Sequence, residues 1–196
     1  RADWEKPEVA MLRSQWAQIQ GNRAEAVKLA QLESDKLNHL MFVGIALAAN
    51  GDREGARSRV GKAIESRQTR GEKRTEWEQS ELAMLQALAG DRADALASAA
   101  DLEGRFGGIF PEYQRIFRAR LASIYAWAGE KERALGELER LFRESGYHFE
   151  RLAGGDDQRA RINVHELRTA LEFQPLQGDP RFEALVSDPK NNAPLF

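Results

Sequence analysis

The sequence predicts an all-α fold in which helix hairpins stack into an α-α superhelix that a C-terminal segment caps. No proline falls between residues 8 and 110 or between residues 112 and 174, so two long stretches contain no helix breaker. Both stretches are rich in Ala, Leu, Glu, Arg and Gln, which favour helices, and neither shows the alternation of a strand. Four glycines each follow one apolar helical run and precede another, because glycine adopts the left-handed backbone that ends a helix. These turn glycines are Gly21, Gly51, Gly90 and Gly129.

The composition is that of a folded protein without cysteine chemistry. The 196 residues are 42% hydrophobic and 31% charged, with a net charge of −2, so the chain can bury a core. The lack of cysteine excludes a disulfide scaffold, a thiolate zinc site and a cysteine nucleophile. The longest apolar run, Leu40–Ala49, is too short to cross a bilayer, and the start does not read as a signal peptide. The sequence therefore favours a cytoplasmic location, and since it begins with Arg1 we expect a longer parent protein.

Columns of small and apolar residues stand in register with the four turn glycines, which lie 30, 39 and 39 residues apart. The residue five positions after each glycine is alanine, which would let the two helices of a hairpin approach closely: Ala26, Ala56, Ala95 and Ala134. The residues seven positions before are all small: Ser14, Gly44, Ala83 and Ala122. Those nine positions after are all apolar: Ala30, Val60, Ala99 and Leu138. This agreement indicates a repeated helix–turn–helix unit.

The fourth unit resembles the tetratricopeptide repeat family most closely. It reads Leu121-Ala122-x-x-Tyr125-x-x-x-Gly129-x-x-x-x-Ala134-x-x-x-Leu138. The resemblance implies four such repeats over residues 1–148, with turns near residues 21, 51, 90 and 129. It also implies a right-handed superhelix whose first helices line a concave groove. Because the family unit has about 34 residues, we place the extra residues near 66–76 and 101–114.

Residues 149–196 depart from the repeat and are predicted to form a helical cap with an irregular tail. The pattern predicts an amphipathic helix over Asp156–Leu171. A second helix should begin at Asp179-Pro180, with the aspartate as its cap and Phe182, Leu185 and Val186 as its apolar face. Residues 167–185 resemble the C-terminal ending of bacterial multidomain signalling proteins. In those proteins a repeat array follows a kinase, cyclase or DNA-binding domain.

The resemblance also implies which side chains would face the groove. Met11, Met41 and Met84 all fall on this surface, and methionine adapts to varied partners. The full set of candidate partner-binding residues is Met11, Gln15, Met41, Ile45, Trp77, Met84, Leu88 and Trp127. One interpretation is an apolar groove for a peptide or partner helix. The other is that these residues contact neighbouring repeats, or that the C-terminal segment folds back and fills the groove.

Catalytic, metal and cofactor motifs are not recognisable in the sequence. The three histidines are dispersed, and the Gly55–Ala63 stretch lacks the Ser or Thr of a phosphate-binding loop. Residues 53–74 hold eight basic side chains against three acidic ones. The chain is acidic overall and no aromatic residue interleaves this run, so a solvated outer face is favoured over a nucleic-acid site. We therefore predict no enzyme activity, no cofactor and no bound metal.

The predicted function is a non-catalytic protein–protein interaction scaffold that binds a peptide or partner domain through its groove. A homo-oligomer is one form that such an interaction could take. The alternative is a regulatory or sensor module of a larger bacterial kinase, cyclase or transcriptional regulator. That alternative follows from the resemblance of the C-terminal ending and from the first residue being Arg1.

Overall fold

The computed structural model describes residues 13–14, 16–17, 20–31, 37–68, 74–144, 149–150, 161–162 and 164–191. Within these ranges the chain forms helices and turns, apart from two short strands, Phe149–Glu150 and Arg161–Ile162, which pair antiparallel. The predicted all-α fold is therefore confirmed.

Successive helices form hairpins across short turns. They are α1 (Arg23–Gln31), α2 (Leu37–Ala49), α3 (Arg53–Gln68), α4 (Glu76–Ala89), α5 (Arg92–Gly104), α6 (Pro111–Trp127) and α7 (Lys131–Glu144). Helix α2 packs on α3, α4 on α5, and α6 on α7. Each hairpin contacts the next, since α3 packs against α4, and α4 contacts both α2 and α6. The surface shared by α2, α4 and α6 is called the groove below.

The turn glycines adopt the left-handed backbone that the sequence predicts. Their φ angles are 74° at Gly21, 89° at Gly51, 83° at Gly90 and 82° at Gly129. A side chain after two of them caps the next helix: Asn22 Oδ1 accepts from Glu25 N at 3.2 Å, and Asp52 Oδ1 from Gly55 N at 2.8 Å.

Asp91, which follows the third glycine, departs from the capping pattern. Its side chain makes no cap hydrogen bond to α5 and lies 3.5 Å from Arg57 Nη2 instead. The guanidinium of the preceding hairpin thus contacts a carboxylate that could have capped the helix. Helix α4, by contrast, has a complete side-chain cap. Its N-cap residue Thr75 forms a reciprocal capping box with Glu78.

Small residues at the predicted positions bring the helices together. All four column alanines, Ala26, Ala56, Ala95 and Ala134, are fully buried. At Gly44 the helices approach so closely that an added Cβ would lie 2.6 Å from Val60 Cγ1. The predicted alanine column therefore lies between packed helices.

The C-terminal region is built from shorter elements than the sequence predicts. Helix α8 covers only Val164–Thr169, because Arg161–Ile162 pairs as a strand with Phe149–Glu150. The predicted helix over Asp156–Leu171 is therefore wrong at residues 161–162, and residues 156–160 lie outside the described ranges. The strands pair in the register Phe149 with Ile162 and Glu150 with Arg161, which satisfies backbone hydrogen-bonding groups there.

The last two described elements attach the chain end to the hairpins. A 3-10 helix at Leu171–Leu176 contacts both α2 and α6. Helix α9 (Pro180–Ser187) begins as predicted, with the Asp179 side chain accepting from Arg181 N. The Arg181 guanidinium then bonds Glu132 and Glu139, both on α7.

Candidate functional site

Most of the predicted groove residues are covered. Ile45, Met84, Leu88 and Trp127 are buried, and Met41 is half-buried. Trp77 keeps 39% of its surface exposed. Met11 and Gln15 lie outside the described residues. A long open apolar groove is thus not what these side chains form.

The C-terminal 3-10 helix covers the groove between α2 and α6. Its Leu171, Phe173 and Leu176 are buried, the last two completely. Burying each of these side chains contributes about 1.5–3 kcal/mol, so the segment is part of the core. The alternative that the sequence left open, a groove filled by the C-terminal segment, describes this region.

A pocket remains where the three groove helices meet the 3-10 helix. Its lining residues are Met41, Phe42 and Ile45 of α2, Ser80 and Met84 of α4, Arg120, Ser123 and Ile124 of α6, and Glu172 of the 3-10 helix. The space between them is about 310 Å³ when counted out to open solvent. The centre of a water molecule can occupy only about 20 Å³ of it. The pocket therefore holds about one water as it stands.

Arg120 brings a buried positive charge to this pocket. It is 7% exposed, its Nη1 donates to Ser80 Oγ at 2.9 Å, and its guanidinium carbon lies 4.6 Å from the Trp77 ring centroid. Its Nε is buried, and no acceptor for it lies within the described residues. Burial lowers the pKa of Arg120 to about 10, against the opposing effect of Glu81 and Glu172. The guanidinium therefore stays charged at neutral pH.

The two serines of the pocket already use their hydrogen-bond donors. Ser80 Oγ donates to the Trp77 carbonyl and Ser123 Oγ to the Arg120 carbonyl, each at 2.8 Å. Arg120 is thus the group in the pocket that can donate hydrogen bonds to an incoming molecule. Beside it, Glu81 is held at 2.5 Å by Arg67 of α3, which partly neutralises that carboxylate.

Exposed aromatic side chains lie at the end of the groove where α4 and α6 begin. Trp77 packs against the buried Phe117 with ring centroids 4.9 Å apart. Tyr113, one turn before Phe117 on α6, is 46% exposed, and Phe110, which precedes α6, is 71% exposed. We call Trp77, Phe110 and Tyr113 the aromatic edge.

The sequence pattern identified some of these residues and missed others. Ser80 lies ten residues before its turn glycine, as the candidate residue Met41 does. Ser123 lies six residues before its turn glycine, as the candidate residue Met84 does. Arg120 lies one position beyond the equivalent of Ser80. An arginine within the apolar run from Ala119 to Ala128 was the available signal, since charged residues are rarely buried without a partner. Glu172 gave no signal, because its place in the pocket depends on how the chain end folds back.

The described part of the chain contains no group of three or more His, Asp or Glu side chains that could hold a metal ion. None of its helices is both long and apolar enough to cross a membrane.

Comparisons with protein-family models, with curated proteins and with solved structures found no match to this chain.

Proposed function

We propose that this chain is a non-catalytic protein-interaction module of the tetratricopeptide type, which binds a peptide or a partner domain at its aromatic edge. Support for the repeat comes from the four buried alanines and the four left-handed glycines, which recur at matching positions. The observation that carries the binding proposal is the exposure of Trp77, Phe110 and Tyr113 at one end of the groove.

The aromatic edge has the properties of a binding hot spot. Tryptophan and tyrosine are enriched where partners contribute most binding energy. Trp77 is held in place by two contacts, one with the Phe117 ring and one with the Arg120 guanidinium. Because the Trp77 indole is already ordered, little of its side-chain entropy is lost when a partner docks.

The proposed docking surface is smaller than the sequence suggested. Of the eight predicted partner-binding residues, Trp77 belongs to it and Met41 lies beside it at the pocket. Ile45, Met84, Leu88 and Trp127 are buried and do not belong to it. Leu88 and Trp127 lie at the opposite ends of α4 and α6 from the aromatic edge.

A random-peptide selection on the immobilised full chain tests this proposal. We expect enrichment of peptides that share an apolar or aromatic residue. Trp77→Ala should weaken their binding at least about tenfold in calorimetry, because the change removes the anchor. Tyr113→Ala provides a second variant whose side chain is half exposed.

Trp16→Ala is the matched control, since Trp16 is 55% exposed but lies in the first repeat. It should leave the dissociation constant unchanged, and circular dichroism should report equal helicity for all variants. A selection without enrichment, or equal losses for Trp16→Ala and Trp77→Ala, would contradict the proposal.

The alternative function is a regulatory or sensor module of a larger bacterial kinase, cyclase or transcriptional regulator. The observation in its favour is the pocket with a buried arginine, since small-molecule sites occur in cavities between packed helices. The reading frame upstream of Arg1 tests it. A frame that encodes an effector domain would support the alternative, and one without such a domain would contradict it.

A further inference from the structure

We propose that the pocket between α2, α4, α6 and the C-terminal 3-10 helix binds a small amphipathic carboxylate. The carboxylate would pair with Arg120, and the apolar chain would lie against Met41, Ile45 and Ile124. This site is separate from the peptide-binding proposal, which uses the exposed aromatic edge.

Arg120 has hydrogen-bond donors that the described residues do not use. A guanidinium has five N–H donors, and this one donates to the described residues through Nη1 alone, to Ser80 Oγ. Burial of the charge is also the largest influence on this group, so its position costs folding free energy. An unpaired donor on a buried cation is the arrangement that an incoming anion would complete.

The hydrogen-bond donors that the pocket offers indicate which kind of anion it would bind. The hydroxyls of Ser80 and Ser123 donate to backbone carbonyls, so they have no proton left for a ligand. One guanidinium can pair with a carboxylate or with a phosphate. We favour the carboxylate because it brings a single negative charge into a pocket that the Glu172 carboxylate already lines.

The side chains that line the pocket indicate what the remainder of the ligand, beyond its carboxylate, should be. Most of the lining is apolar, from Met41, Phe42, Ile45, Met84 and Ile124. Because a water centre has access to only about 20 Å³, the ligand must displace soft side chains. Met41 and Met84 have three rotatable side-chain bonds beyond the backbone and can move in this way.

Glu172 determines the direction in which one substitution should change carboxylate binding. It lines the same pocket and its charge acts favourably on Arg120, so it competes with a second carboxylate. Neutralising this residue should therefore strengthen the binding of a carboxylate. If the pocket instead recognised a cation through Glu172, the same change would weaken binding.

Calorimetry on the full chain with hexanoate and octanoate, each against the alcohol of equal length, tests the inference. We expect the acids to bind at least tenfold more tightly than the alcohols. Glu172→Gln should tighten acid binding severalfold. Arg120→Met should weaken acid binding at least tenfold. Methionine is close to arginine in volume and, unlike glutamine, adds no amide that would be buried without a hydrogen-bond partner.

Three results would overturn the inference: no acid binding at millimolar concentration, equal binding of acid and alcohol, or weaker acid binding by Glu172→Gln. An acetylated tripeptide ending in leucine separates a free acid from a peptide carboxyl terminus. Tighter binding of that peptide than of octanoate would assign the site to a peptide and also contradict the inference. If Arg120→Met loses helicity, Glu172→Gln still decides, since Glu172 is only partly buried. Tyr113→Ala tests the aromatic edge at a residue that does not line the pocket, so the two proposals can fail separately.

Discussion

The helix hairpins and the C-terminal region achieve close packing by opposite means. In the hairpins, small residues such as Ala134 and Gly44 lie between helices at repeated positions. In the C-terminal region, large side chains such as Phe173 and Phe182 fill individual spaces, and Arg181 bonds two carboxylates of α7. The first kind of packing leaves a periodic signal along the chain, whereas the second depends on a surface formed elsewhere.

The largest expected effect in this comparison is at Phe173. This ring is fully buried in the 3-10 helix that covers the groove, so Phe173→Ala should lower the free energy of unfolding by about 3–5 kcal/mol. Chemical denaturation would measure the loss. Lys190→Ala, at an exposed position in the same region, should change it by less than about 0.5 kcal/mol. A loss below about 1 kcal/mol for Phe173→Ala would mean that the cap is only loosely attached.

Overpacking a repeat column should have a smaller effect. Ala134 is fully buried between helices of the last hairpin, so Ala134→Leu should cost about 1–3 kcal/mol. The same substitution at Ala97, an exposed position of α5, should leave the melting temperature nearly unchanged. Equal melting temperatures for the two variants would refute the proposed equivalence of the four turns.

The smallest effects, and the most informative signs, come from a pair of helical glycines. Gly44→Ala would place Cβ 2.6 Å from Val60 Cγ1, at an overpacking cost of about 1–3 kcal/mol, partly offset by about 1 kcal/mol of helix propensity. Gly61→Ala meets no atom within 4 Å and should stabilise by about 0.5–1 kcal/mol. Denaturation midpoints that move in opposite directions would support close contact at Gly44. A stabilised Gly44→Ala variant would exclude it.

The two kinds of packing explain how far the sequence can be interpreted. Turn glycines and column alanines are local signals, because a left-handed residue and a small side chain are required wherever a tight hairpin forms. The coverage of the groove was left open, because the 3-10 helix at Leu171–Leu176 meets α2 and α6, which are distant in sequence. The strand at Arg161–Ile162 was missed for the same reason, since its partner lies eleven residues earlier along the chain, at Glu150.

The candidate site shows the same division. Met84 was a candidate residue, and Ser80 and Ser123 stand at the same distances from their turn glycines as Met41 and Met84 do. The pattern could not associate Arg120 with Glu172, since the two line one pocket only because the chain end returns to α6.

The stacking of Trp77 on Arg120 has an optical consequence. An indole ring with a positive charge 4.6 Å from its centroid has its excited state shifted by that charge. An anion arriving at the guanidinium would partly cancel this electric field and change the colour of the light that the indole emits. In a variant whose other three tryptophans are replaced by phenylalanine, Trp77 would report occupancy of the pocket without an attached dye.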